Sequence, residues 1–241
     1  MPRRPRLEIL LILALFAAPA HAWEVNRNAT AEDFSAFHRH FSFDAYHYPR
    51  HGAAPLGLVG FEVYADATYD EEFDDEEFVD TAIDGDFTGG FLSIARIGAR
   101  KGLPGGFDIG LAYGRALEGD VKLISADLQY AILKGGVVSP AFSVRVTGTR
   151  TLDAEAYELD QYGAEVLLSK GFTVVTPYIG AGIVYSKGTL DRGDLLGDLE
   201  EEETDGVLYA GVTLNLLLPK ITVELEKGEV LQGALRIGFG F

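Results

Sequence analysis

Ten charged residues stand in segments where every second position is apolar or small: Glu62, Asp66, Arg96, Asp108, Asp127, Arg145, Glu165, Glu224, Glu226 and Arg236. In extended chain the side chains of residues i and i+2 share a face, so these ten belong to the polar faces of strands whose other faces are greasy. Charges gathered on a desolvated face must pair, because an uncompensated buried charge is costly. Two chemistries follow. One is a salt-bridged filling that stiffens a wall; the other is a narrow polar passage whose surplus of carboxylates prefers cations. Tyr64, Gln129, Tyr178, Tyr209 and Asn215 share the polar face, and Gly110, Gly114, Gly180, Gly182, Gly211 and Gly238 leave room there for a helix or a solute.

Two acidic runs offer the oxygen ligands that calcium and magnesium take. Residues 70–86 contain ten carboxylates and residues 191–205 contain eight. The candidate ligands are Asp74, Asp75, Glu76 and Glu77 in the first run and Glu200, Glu201, Glu202 and Glu203 in the second. Neither run has an EF-hand spacing, so the expectation is two solvated, like-charged loops that hold Ca or Mg loosely, with no resident cofactor. Histidine is confined to the beginning of the chain. Beyond residue 22 only His38, His40, His47 and His51 occur, and they read as surface or rim residues. On a helix, His38 and His40 lie far apart around the axis and make no chelate.

The chain contains no cysteine, which removes disulfides, thiolate metal sites and thiol catalysis. With no histidine in the alternating segments and no recognisable pair of carboxylates, catalysis lacks its base, and the chain reads as non-enzymatic. The Gly180-Ala181-Gly182 triplet lies in mid-strand with no helix after it, so a dinucleotide loop fails its context.

Positioning these residues requires three kinds of segment. Residues 1–22 read as a secretory signal: Arg3, Arg4 and Arg6 precede a short apolar core, and Ala20-His21-Ala22 supplies a cleavage site. Its removal takes the formal charge from 20 − 37 to 17 − 36, or −19, and such acidity argues against nucleic acid as a partner. Residues 23–56 form a second, N-terminal segment. Thr30 followed by Asp33 suits a helix start, and Phe34, Phe37 and Phe41 at i, i+3 and i+7 predict a short amphipathic helix. That helix plugs an interior, lies along a periplasmic rim or rests on a membrane face.

From residue 57 the period is two. Strands are predicted at 57–69, 90–100, 107–114, 121–133, 141–150, 159–169, 174–186, 207–216, 221–227 and 230–241. With Arg96 inward, the second strand requires a bulge, because Leu92 and Ile94 share its parity. Short turns at Lys101-Gly102, Lys134-Gly135-Gly136, Lys170-Gly171 and Pro219-Lys220 alternate with longer or more acidic connections. Phe107, Phe142 and Phe241 lie beside the short turns, and Tyr69, Tyr113 and Tyr185 beside the long ones, as two interfacial girdles would. The predicted fold is therefore all-β, an antiparallel transmembrane β-barrel over residues 57–241 with about ten strands, eight or twelve being the alternatives. A soluble β-sandwich shares the alternation but turns its greasy face inward.

The last strand carries a resemblance. Leu231, Gly233, Leu235, Ile237, Phe239 and Phe241 alternate with small or polar residues and end on an aromatic. This resembles the terminal strand of Gram-negative outer-membrane β-barrel proteins, although the glycine usual before the aromatic pair stands at a different offset. The resemblance implies a porin-like outer-membrane location, surrounding lipid and lipopolysaccharide, and an assembly signal at Leu235, Ile237, Phe239 and Phe241 read by the barrel-assembly machinery. The resulting expectation is a non-enzymatic envelope component with acidic external loops. The alternatives are a narrow, cation-preferring channel or small-solute transporter and, third, a lipid-modifying barrel enzyme.

Overall fold

The computed structural model describes residues 24–70, 79–84, 94–117, 121–152, 156–193, 196–216 and 218–240. The expected signal at 1–22, the candidate ligands Asp74, Asp75, Glu76 and Glu77, and the terminal Phe241 lie outside them. Ten strands follow the N-terminal segment: β1 Phe61–Tyr69, β2 Ile94–Gly102, β3 Phe107–Ala116, β4 Lys122–Lys134, β5 Ala141–Leu152, β6 Tyr157–Ser169, β7 Val175–Leu190, β8 Leu199–Asn215, β9 Lys220–Lys227 and β10 Leu231–Gly240. Each pairs antiparallel with the next, and β10 pairs with β1, so the sheet closes without a free edge.

The alternation resolves as an inside-out protein. Along β3, Ile109 and Leu111 are 44% and 59% exposed, whereas Asp108 between Phe107 and Ile109 is buried. The same parity holds around the barrel, with Val146, Ile183, Leu208, Val223 and Leu235 outward. A β-sandwich would bury these residues and expose the charges, so that alternative fails. No described helix is long and apolar enough to cross a membrane; the crossing elements are the strands.

Two expectations are corrected. First, β2 contains no bulge: its ladders to β1 and β3 run without interruption, and Ile94 simply faces inward with Arg96. An apolar residue is tolerated there because it packs against the aromatic rings of the N-terminal helix. The register shift in the structure falls between β4 and β5, at Ala131 and Leu133. Second, much of the acidic run 191–205 is ladder rather than loop. β7 and β8 stay paired as far as Leu190 and Leu199, which puts Glu200, Glu201, Glu202 and Glu203 opposite Thr189, Gly188, Lys187 and Ser186.

The helix α1 (Ala31–Ala45) sits inside the barrel at the end bearing the long connections, which selects the first of its three expected positions. Thr30 caps it: its Oγ1 accepts from the Asp33 N–H and donates to an Asp33 carboxylate oxygen. Residues 46–56 then descend, extended, to the short-turn end. There the chain reverses at Gly57, whose φ of 78° suits glycine, and the Gly57 carbonyl lies so close to Gly102 that a Cβ on Gly102 would collide with it. Above α1, Glu24–Val25 pairs with Ile83–Asp84, and Val25 and Ile83 join the cluster around the helix.

At mid-depth, Leu111→Arg should weaken folding into lipid vesicles by about 2–4 kcal/mol, whereas Thr149→Ser, which keeps the inward hydroxyl bonded to Ser125, should cost little; urea titration of vesicle-inserted protein measures both. Gly110→Ser should be costly in the same titration, because its Cβ would strike the Asp127 carboxylate, which Arg145 holds in place.

Candidate functional site in the occupied lumen

The lumen is filled in three tiers. At the long-connection end, Phe34, Phe37 and Phe41 turn from α1 onto Tyr157 of β6, with ring centroids 6.0, 5.2 and 5.7 Å from its ring. Ile94, Leu123, Leu159 and Leu190 complete this dry cluster. Burial of such rings is the main attraction holding the helix in place. The Tyr157 hydroxyl meets His38 Nδ1 at 2.7 Å, and Ser186 Oγ meets Nε2 at 3.1 Å. Gly188 makes room for the imidazole, since a Cβ there would collide with it. Burial pulls the His38 pKa down to about 4, partly offset by the Ser186 hydrogen bond.

Around the rim of this tier, the four consecutive glutamates divide by parity. Glu201 accepts from Ser35 and Glu203 from Arg39, both on α1, while Glu200 and Glu202 pair with Lys187 at 3.0 and 3.7 Å. They therefore tie the helix and the β7–β8 ladder together instead of converging on a common ion. All four histidines beyond residue 22 are buried in the lumen, not at the surface or rim as expected.

The second tier is backbone. Residues 46–56 have neither helix nor ladder to satisfy their amides, so side chains of the wall do it. Arg96 Nη2 donates to the carbonyls of Asp44 and Tyr46, Gln161 to Ser42, Gln232 to Phe43, Arg236 to Pro49 and Gln129 to Ala53. Ser169 Oγ accepts from the Ala53 N–H, and the Asp108 carboxylate from the Leu56 N–H. These bonds run the length of the passage.

The third tier is charge, and all ten of the charged residues read from the alternation are in it, each buried. Asp66 lies between Arg50 and Arg236; the Arg236 Nη2 bond is 2.7 Å. Arg50 Nε also donates to Glu226 at 2.9 Å. Arg145 bridges Asp127 at 2.7 Å and Glu165 at 2.9 Å, and Tyr46 donates to Glu165. Arg100 pairs with Asp108, Lys220 with Glu62, and the Tyr178 hydroxyl donates to Glu224. Arg236 also stacks over the Tyr64 ring, 3.7 Å from its centroid. Sequence reasoning missed Arg50 and Arg100. Arg100 shares Arg96's parity and was legible; Arg50 lies in a segment with no periodicity and carried no signal. Adding them changes the balance from seven acids against three arginines to seven against five.

The inward glycines divide the work. Gly180, Gly211 and Gly98 receive the rings of Tyr209, Tyr178 and Tyr64, all from the wall, while Gly163, Gly188 and Gly228 receive Tyr46, His38 and Phe43 of the N-terminal segment. What space remains includes a cavity of about 280 Å³ near the short-turn mouth, touched by Arg50, His51, Glu62, Arg100 and Lys220. Of the expected assembly signal, Leu235 is half exposed and Ile237 and Phe239 share its outward face.

No protein-family model and no curated protein matches the chain. Among solved structures, the N-terminal β-barrel domain of Pseudomonas aeruginosa OprF is 14% identical, covering 77% of this chain and 99% of that one at a TM-score of 0.34. The KdgM porin is 10% identical over 75% and 99% of the two chains at 0.38. The attachment invasion locus protein Ail of Yersinia pestis is 12% identical over 76% and 97% at 0.31.

Arg50→Ala should destabilise the docked segment by about 3–5 kcal/mol, because Glu226 is left buried without its cation; the Arg50→Met/Glu226→Leu double change should recover most of this in unfolding titrations. Acid should act through the buried histidines, His38 among them. Its folded pKa lies below the unfolded value, so its contribution to stability is full above pH 6.5 and falls as pH drops toward 4, by up to about 3 kcal/mol. His38→Gln should make the slope shallower, the buried His47 and His51 keeping the remainder, when protease protection of residues 26–52 is followed against pH. Closed sheet, greasy exterior and charged, occupied interior together make this chain a transmembrane β-barrel of ten strands.

Proposed function

We propose that this protein is a sealed, non-enzymatic component of the outer membrane, whose barrel carries acidic connections on its outer side and whose lumen is occupied by its own N-terminal segment. The observation that carries this reading is the hydrogen bonding of residues 42–56 to the wall: seven wall side chains hold a strand of chain where an open pore would hold water. The engagement of lumen charges in close ion pairs, as at Asp66, Asp127 and Glu165, supports it as well, since a conducting path needs ions to bind weakly enough to leave.

Against a cation-preferring channel stands the cavity at the short-turn mouth, where Arg50, Arg100 and Lys220 outnumber Glu62. Against catalysis stands the packing of His38 and its serine: His38 and Ser186 are both buried, the ring is pressed into the wall at Gly188, and a neutral phenol, not a carboxylate, backs Nδ1. Lipid and lipopolysaccharide surround the belt in this reading, loosely held divalent cations bridge lipopolysaccharide to the acidic connections, and the barrel-assembly machinery inserts the chain through its last strand.

In a planar lipid bilayer the intact protein should give no stepwise conductance, and deletion of residues 26–52 should open resolved steps. Cation-selective steps from the intact protein would overturn the proposal in favour of a narrow channel.

A further inference from the structure

We propose that His40, Asp44 and Asp70 bind one divalent transition-metal ion, of the zinc class, where the N-terminal helix meets the wall. His40 and Asp44 stand one turn apart on α1 and so face the same side. Asp70 reaches them from the residue immediately after β1. One ligand atom from each residue lies within 4.8 Å of the others, and all three side chains are buried.

The independent observation is Asp44. It is 1% exposed, and neither of its carboxylate oxygens has a hydrogen-bond partner. A buried carboxylate without a donor is among the more costly arrangements in a protein. Arg96 comes near, but its Nη2 bonds go to the carbonyls of Asp44 and Tyr46 instead of the carboxylate. A cation between Asp44 and Asp70 both supplies the missing partner and relieves the repulsion of the two acids.

The donor set selects the ion. Calcium and magnesium take six or more oxygens, and calcium's sites rarely include an imidazole; one nitrogen and two carboxylates suit zinc, with water completing four-coordination. His40 Nε2 is 2.5 Å from Asp70 Oδ2 and 4.0 Å from Asp44 Oδ2. Ligands at about 2.0–2.1 Å from a tetrahedral zinc stand about 3.3 Å apart, so Asp70 withdraws slightly and Asp44 advances. His38 takes no part, being turned to Tyr157 and Ser186. The bound ion clasps α1 to the end of β1.

The test uses the full mature protein refolded in detergent, stripped with EDTA and titrated calorimetrically with zinc chloride. The wild type should take up one strong equivalent, distinct from weak binding to surface carboxylates. Asp44→Asn, of equal size, should lower its affinity at least about 10-fold, the least that losing even an outer partner of a ligand costs; Glu200→Gln/Glu202→Gln should leave it unchanged. Cobalt substituted for zinc in the wild type should give the visible absorption of a four-coordinate site with a nitrogen ligand, which His40→Gln should abolish. No strong equivalent in the wild type, wild-type affinity in folded Asp44→Asn, or a cobalt spectrum without nitrogen ligation would each refute the site.

Discussion

Everything in this structure depends on one constraint: a stretch of chain that runs through a desolvated interior without helix or ladder must find a hydrogen-bond partner for its amides elsewhere. Residues 46–56, with the last turn of α1 before them, meet it with side chains from β2, β3, β4, β6 and β10, and this explains which residues the wall presents. Gln129, Gln161 and Gln232 are long neutral amides whose donors reach carbonyls of the segment. Arg96 and Arg236 do the same while carrying charge. A wall that merely had to be polar needs no such placement. These residues are there because the segment is there.

Charge is subordinate to that requirement and completes it. Arginine supplies several donors in a rigid fork, so one guanidinium can satisfy a carbonyl and a carboxylate at once. Arg236 bonds both the Pro49 carbonyl and Asp66, and Arg50, from the segment itself, returns the contact by bonding Asp66 and Glu226. Asp66 is thereby shared between wall and segment. Such mutual dependence stiffens the filling, because loosening any one member leaves another buried without its partner.

How much of this the sequence disclosed follows from which physical rule wrote each part. Period-two alternation is dictated by lipid outside and polar interior, so the ten strands, the outward Leu111 and Ile109, and the ten inward charges could all be read from it. The three phenylalanines at helical spacing announced α1 and its buried face. Ile94 could not be placed, because inward apolar residues are explained only by what packs against them, and Phe34, Phe37 and Phe41 come from far away in sequence. The histidines were misjudged for the same reason: their burial depends on where the segment lies, which no local pattern states. The glutamates at 200–203 looked like a loop because four like charges in a row suggest solvent, whereas on a strand they separate onto two faces with different cations.

The seam shows that the segment belongs to the assembly of the barrel and is not an afterthought to it. β10 and β1 are the last and first strands, and their pairing closes the sheet. Across that seam Arg236 stands opposite Asp66, and their ion pair is completed from the lumen by Arg50 and the Pro49 carbonyl. Closing the seam without the segment would bury Asp66 and Arg236 with part of their bonding unmet and leave Glu226 without a cation, each a cost of kcal/mol order. The segment also enters at the long-connection end and leaves at the short-turn end, directly into β1. A chain so arranged reaches its lowest free energy only with wall and filling both in place, residues 46–56 completing the bonds at the seam where the first and last strands meet.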